Sequence, residues 1–280
     1  MKLLVTGSSG MLGHAVTSVA SSRGHDVIAA PHQVLDVTNA GAARRMLQRV
    51  RPDAVVHCAA FTKVDDAELQ PAAAFAVNAD GAATMAWAAA DVGARFLYPS
   101  TDYVFDGKAN RAYRPTDATA PLNVYGQSKL AGEAAARTAP LHLIVRTSWL
   151  YGACGKNFVN SILERARAGE ALRVVGDQRG SPTWTRDLAH TLITLLERDA
   201  ASGVYHACNQ GETTWYSLAC ATLQLAGINA QVDRITTADL PRPAKRPAFA
   251  VLDCTTTEAV AGPMRPWREA LQEALTHEVA

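Results

Sequence analysis

Gly7, Gly10 and Gly13 stand between an apolar run, Leu3-Leu4-Val5, and a stretch of helical periodicity from Met11 to Arg23. A GxxGxxG loop at a strand-to-helix junction constrains the fold more than any other feature of the chain. Gly7 permits the tight turn, Gly10 leaves the backbone open to a diphosphate, and Gly13 lets the helix lie close to the sheet. The helix N-terminus then offers free N–H groups and a positive dipole end to the anion. The segment predicts a dinucleotide site.

The rest of the chain supplies the alternation that such a junction needs. Val27–Ala30, Ala54–Cys58, Arg95–Tyr98 and Leu141–Val145 read as strands. Ala42–Val50, Pro71–Val92 and Tyr125–Arg137 read as helices. Alternating strands and helices require right-handed crossovers, so the expected fold is α/β, a Rossmann-like doubly wound parallel sheet. After Thr147 the loops lengthen and gain Gly, Pro and Trp. Helical patterns persist at Phe158–Ala168, Arg186–Arg198, Leu218–Ala226 and Trp267–Thr276. We therefore expect an NAD(P)-binding domain over 1–148. Residues 149–280 should form mainly a smaller substrate-binding lobe, with some segments returning to the first domain. No repeat or low-complexity linker separates the two, so they should pack closely.

Composition narrows the partners. Lys plus Arg number 27 and Asp plus Glu 26, for a net charge of +1. That balance lacks the basic excess of a phosphate-backbone binder, so no nucleic-acid partner is expected. The N-terminus lacks the apolar run of about 7–15 residues of a signal peptide. No stretch approaches the roughly 20 apolar residues of a membrane span. The five cysteines are scattered, without a CxxC pair, and read as free thiols of a reducing cytoplasm. The histidines show no HExxH spacing, so no catalytic metal is expected.

Tyr125-Gly126-Gln127-Ser128-Lys129 is a YxxxK motif. Positions i and i+4 share one helix face, so phenol and ammonium can face one ligand. A free tyrosine has a pKa near 10, and a fixed positive charge nearby lowers it. Lys129 is expected to act on Tyr125 in this way and to hold a ribose. Thr101 follows the fourth strand, whose C-terminal end faces the ligand crevice. Its hydroxyl can bond a substrate carbonyl and the phenol, or else serve a turn.

The glycine spacing resembles the extended short-chain dehydrogenase/reductase superfamily. There the residue ending the second strand helps choose the cofactor, an acidic side chain favouring NAD. Here the strand ends Ala29-Ala30-Pro31-His32 with no carboxylate, which favours NADPH, with NADH possible. Asp36 falls where that superfamily has an adenine-contacting Asp. Its alternative role is to cap the helix that begins near Ala40.

Longer runs carry a narrower resemblance. Ser100-Thr101-Asp102-Tyr103-Val104-Phe105-Asp106-Gly107, Pro121 through Glu133, and Arg146-Thr147-Ser148-Trp149-Leu150-Tyr151 closely resemble the dTDP-4-dehydrorhamnose reductase family. Cys58 through Asp65, Val77-Asn78, Gly180-Ser181-Pro182-Thr183 and Arg246-Pro247 add to it. The resemblance covers nearly the whole chain. It implies NAD(P)H-dependent reduction of the 4-keto group of dTDP-4-dehydro-L-rhamnose to dTDP-L-rhamnose, with Tyr125 as proton donor and Lys129 and Thr101 as its catalytic partners. It places Gly7, Gly10, Met11, Leu12, Gly13, Asp36, Val37, Ala60, Phe61 and Thr62, with Tyr125 and Lys129, against the cofactor. Thr101, Asp102 and Trp149 fall on positions that touch the sugar, although Trp149 could also be a core aromatic.

Dehydratases of the same superfamily carry Asp-Glu just after the Thr, because elimination needs its own acid and base. This chain reads Asp102-Tyr103, which favours simple ketone reduction. Some family members dimerise around magnesium held by glutamates, one just after the glycine loop. Here that place reads His14-Ala15-Val16, so a monomer or weak homodimer is expected. Arg246, with Arg242 and Lys245, could meet a nucleotide diphosphate or stand solvated in its loop. Two other functions stay open: reduction of another 4-keto-6-deoxy nucleotide sugar, and a non-catalytic NADP-binding regulatory module.

Overall fold

The computed structural model describes residues 1–277. Its centre is a six-stranded parallel sheet. The strands are β1 (Lys2–Thr6), β2 (Asp26–Ala30), β3 (Ala54–His57), β4 (Arg95–Thr101), β5 (His142–Thr147) and β10 (Gly203–His206), in the order β2-β1-β3-β4-β5-β10. The chain winds outward in both directions from β1. The topological switch point therefore lies between β1 and β3, and the ligand crevice opens at the C-terminal ends there.

The strands are near-continuous apolar runs because both faces of the sheet are covered. Alternate residues of β1 serve opposite faces. Leu3 and Val5 pack with Val16 and Val19 of α1 (Met11–Ser22) and Leu188 and Leu192 of α8 (Thr185–Glu197). Leu4 packs with Leu47 of α2 (Ala40–Val50), Met85 of α5 (Gly81–Asp91) and Phe96. All of these but Val19 are fully buried. Burial of each such side chain contributes about 1.5–3 kcal/mol, so the junction that carries the glycine loop sits on the firmest part of the molecule. Helix α2 is capped by Asn39, whose side chain accepts from Ala42 N, so Asp36 is not its cap.

The helix expected over Pro71–Val92 is interrupted. After α3 (Val64–Leu69) come α4 (Pro71–Phe75), a π-helical turn (Ala76–Asp80) and α5. The wider turn has a purpose, as such turns often do. It presents Asn78, whose side chain binds both backbone groups of Phe61 at 2.8 and 3.0 Å and the Ser128 hydroxyl at 2.9 Å. The loop after β3 is thereby tied to α6 (Val124–Ala136), the helix of the YxxxK motif.

The C-terminal half contributes β10 and α8 to the sheet layers. The remainder forms a lobe with α7 (Phe158–Arg167) and α9 (Trp215–Leu225). Three short strand pairs brace it: β6 (Leu150–Tyr151) with β9 (Thr183–Trp184), β7 (Leu172–Val175) with β12 (Val232–Ile235), and β8 (Arg179–Gly180) with β11 (Thr213–Thr214). Among the described residues no helix is long and apolar enough to cross a membrane.

Candidate active site

The glycine loop closes on itself tightly. Gly7 has φ +60°, and a Cβ there would lie 2.6 to 2.8 Å from the backbone of Cys58 and Ala59. A Cβ on Gly13 would lie 2.2 Å from Gly7 O, which accepts from Gly10 N at 2.9 Å. No side chain caps α1 and its first turn holds no acid, so its amides and dipole face the crevice unopposed. Gly13→Ala cannot keep this loop without pushing α1 away. We expect its affinity for NADPH to fall at least about tenfold, measured by nicotinamide fluorescence; an unchanged dissociation constant would show that the loop does not hold the cofactor.

A cavity of about 390 Å³ opens over the loop at the switch point. On one side lie Gly10, Met11, Leu12 and Gly13, and across from them Ala60 and Thr62. Thr101, Asp102, Tyr125, Lys129 and Trp149 complete the wall. Gly7 lies beneath the loop rather than on the cavity. Asp36 is exposed and accepts from Thr38 N and Oγ1 at 3.0 and 2.8 Å. Those two bonds hold its carboxyl below the usual range. The Val37 side chain is buried against Gly81. Phe61 is held by Asn78. These four do not line the cavity. Neither does Arg246, which forms a two-pronged pair with Asp65, one arm at 2.9 Å, and keeps that carboxyl below its ordinary value.

The titrating groups differ from expectation at one point: the net shift at Tyr125 is upward. Burial pushes the phenol up to about 12, the Thr101 hydroxyl pulls it back, and Asp102 adds to the rise. The Lys129 ammonium is turned to Pro99 O at 2.7 Å and lies 3.9 Å from the centre of the Tyr98 ring. Burial drives its own pKa down to about 7, with Glu133 opposing. Asp102, 1% exposed, receives the Thr101 hydroxyl at 2.9 Å on Oδ1. Its Oδ2 has no partner among the described residues. Burial raises this carboxyl to about 8, against the Thr101 bond, so it is largely protonated at neutral pH.

Sequence reasoning missed several wall residues. His57 lies on the cavity with Nε2 unpartnered among the described residues and Nδ1 3.0 Å from Thr6 Oγ1. Burial drives its pKa down to about 3, so it stays neutral. Tyr103 meets Tyr125 edge-on at 5.6 Å. Trp215 also belongs to the wall. Tyr103 and Trp215 border a second cavity too, of about 820 Å³, which carries Arg165, Arg173, Arg242, Lys245 and Arg246. A Trp at a helix start reads in sequence like any core aromatic, and nothing local marks its neighbour. Among the described residues no cluster of three or more His, Cys, Asp or Glu could hold a metal.

An open helix N-terminus on a glycine cradle, at the switch point of a parallel sheet, fits a dinucleotide. With a tyrosine, lysine and threonine facing it, fold and site define a nicotinamide-dependent oxidoreductase of the short-chain dehydrogenase/reductase kind. The model of the RmlD substrate binding domain matches residues 1–279. A dTDP-4-dehydrorhamnose reductase of Streptomyces griseus is 46% identical over 279 residues, covering 97% of this chain and 92% of that protein. A probable dTDP-4,6-dihydroxy-2-methyloxan-3-one 4-ketoreductase of Streptomyces antibioticus is 42% identical, covering 98% and 94%. The crystal structure of a dTDP-4-dehydrorhamnose reductase from Bacillus anthracis in complex with NADP superposes with a TM-score of 0.95 at 34% identity, over 98% of each chain. The chain belongs to the dTDP-4-dehydrorhamnose reductase family.

Proposed function

We propose that this protein reduces the 4-keto group of dTDP-4-dehydro-L-rhamnose to give dTDP-L-rhamnose, with Tyr125 as proton donor. The observation that carries the reading is the adjacency of the two cavities, which share Tyr103 and Trp215 in their walls. One holds the glycine cradle and a protonated phenol. The other is lined by arginines and lysine, and its size suits a nucleoside diphosphate.

The bound dinucleotide supplies the hydride. Tyr125 gives its phenolic proton to the oxygen of the carbonyl as that oxygen gains charge. Reduction needs a proton donor; burial keeps the phenol protonated, and the alcohol formed from the ketone is a weaker acid still, so the transfer runs downhill. Thr101, between Asp102 and the phenol, orients Tyr125 and the keto oxygen. Lys129 would bind the ribose and, with a pKa that burial brings down to about 7, can return a proton to the phenol. Asp102, on the cavity wall, receives the Thr101 hydroxyl and so sets its direction beside the sugar. Asp36 and Val37 serve the adenine side, whereas Gly7 and Phe61 shape the loops that flank the cofactor. Arg246, fixed by Asp65, faces the diphosphate.

The test is absorbance loss at the reduced-nicotinamide band, with the keto sugar generated in situ. NADPH should be oxidised rapidly and NADH more slowly, as the carboxylate-free end of β2 requires. No turnover, with NADPH still bound by fluorescence, sinks the assignment. A second reading, reduction of another 4-keto-6-deoxy sugar on dTDP, is favoured by the S. antibioticus relative. It predicts faster turnover of that ketone in the same assay.

A further inference from the structure

We infer that Trp215 is a positioning residue for the keto sugar, acting by fixing the indole of Trp149. This rests on the reductase reading above. Trp149 has a left-handed backbone, φ +48°, which a bulky residue adopts only where its surroundings impose it. The surroundings are specific. The preceding residue is pinned by the Ser148 hydroxyl, which donates to Ser181 O at 2.6 Å. The Trp149 indole lies against Gly180, where a Cβ would come within 2.5 to 2.8 Å of three atoms of the indole. The Trp215 indole stacks on Trp149 with ring centres 3.6 Å apart and planes within 10°. Phe158 backs Trp215 in turn, at 4.7 Å.

Trp149 is thus packed against both Gly180 and Trp215. It faces the cavity with Tyr125 and Thr101, whereas Trp215 borders both cavities. A nucleotide sugar lying with its diphosphate among the arginines and its ketone at Tyr125 must pass the edge of this stack. The stack gives the sugar ring a rigid apolar wall. Without Trp215 one face of the indole is unsupported, and the strained Trp149 backbone loses one of the contacts that hold it. The ketone would then reach Tyr125 in fewer of the bound complexes.

The experiment compares wild type, Trp215→Phe and Trp215→Leu in three measurements. Circular dichroism reads the exciton couplet of stacked indoles, which both variants should lose. NADPH binding, read by nicotinamide fluorescence, should change less than about twofold, because the stack packs on Gly180 and Phe158 rather than on the glycine loop. In turnover, Trp215→Leu should raise KM for the keto sugar and lower kcat, together about tenfold or more in kcat/KM. Trp215→Phe, which keeps an aromatic face, should recover most of that loss. An inactive wild type would overturn the reductase reading and this inference with it. An active wild type whose Trp215→Leu variant keeps kcat and KM within twofold, despite loss of the couplet, would overturn this inference alone.

Discussion

Tyr125→Phe should lose roughly a hundred- to ten-thousand-fold in kcat while binding NADPH as the wild type does. The substitution removes one oxygen from a half-buried ring that stands edge-on to Tyr103, so the packing survives and the chemistry does not. Burial holds the phenol up to about 12, so at neutral pH Tyr125 keeps its proton in essentially every molecule, as the proposed role requires. In the variant the Thr101 hydroxyl remains, donating to Asp102 Oδ1. Lys129, its pKa brought down by burial, is turned toward Pro99 O. Neither replaces the lost acid at the same point. Single-turnover oxidation of bound NADPH separates this from a binding defect. A variant within tenfold of wild type would mean that another group, or water, delivers the proton.

The parts of this site legible in the sequence are those fixed by local spacing. The glycine loop and β1 to β4 follow from apolar runs and three glycines in order. The i, i+4 spacing puts Tyr125 and Lys129 on one helix face. What sequence could not give depends on distant partners. Gly203–His206 is short and follows a polar loop; only its pairing with β5 makes it a strand. The Ala-rich helix shows unbroken periodicity, and the π-helical turn is visible only through what Asn78 holds. Arg246 reads as a loose cation because Asp65 lies far away along the chain. The upward shift of Tyr125 is hidden from sequence for the same reason. Local spacing shows a charge beside a phenol, but the burial that outweighs it comes from the whole fold.

Glu133→Ala should destabilise the fold by about 3–5 kcal/mol, read by chemical denaturation. Glu133 is fully buried and Arg146 only 2% exposed. Arg146 reaches both carboxylate oxygens at 2.8 Å, and the Ser100 hydroxyl donates to Oε1 at 2.7 Å. Removing the carboxylate leaves a guanidinium in the interior with only long contacts, to Pro115 O at 3.3 Å and His206 Nε2 at 3.5 Å. That unpaired charge is the source of the loss. The double variant Glu133→Met/Arg146→Met should therefore regain most of it, because apolar groups of similar volume need no partner. A single variant within about 1 kcal/mol of wild type would mean that water or another anion reaches Arg146 and that the pair is not sealed. The double variant also isolates a second effect. Glu133 is one turn beyond Lys129 on α6, Ser100 precedes Thr101 on β4, and Arg146 leads into the Trp149 loop from β5. The pair thus joins three of the elements that present the site. Glu133 also favours the charged form of Lys129. A stable double variant should accordingly hold Lys129 neutral to lower pH. If Lys129 returns the proton to Tyr125, its multiple-turnover rate should fall more than its single-turnover rate.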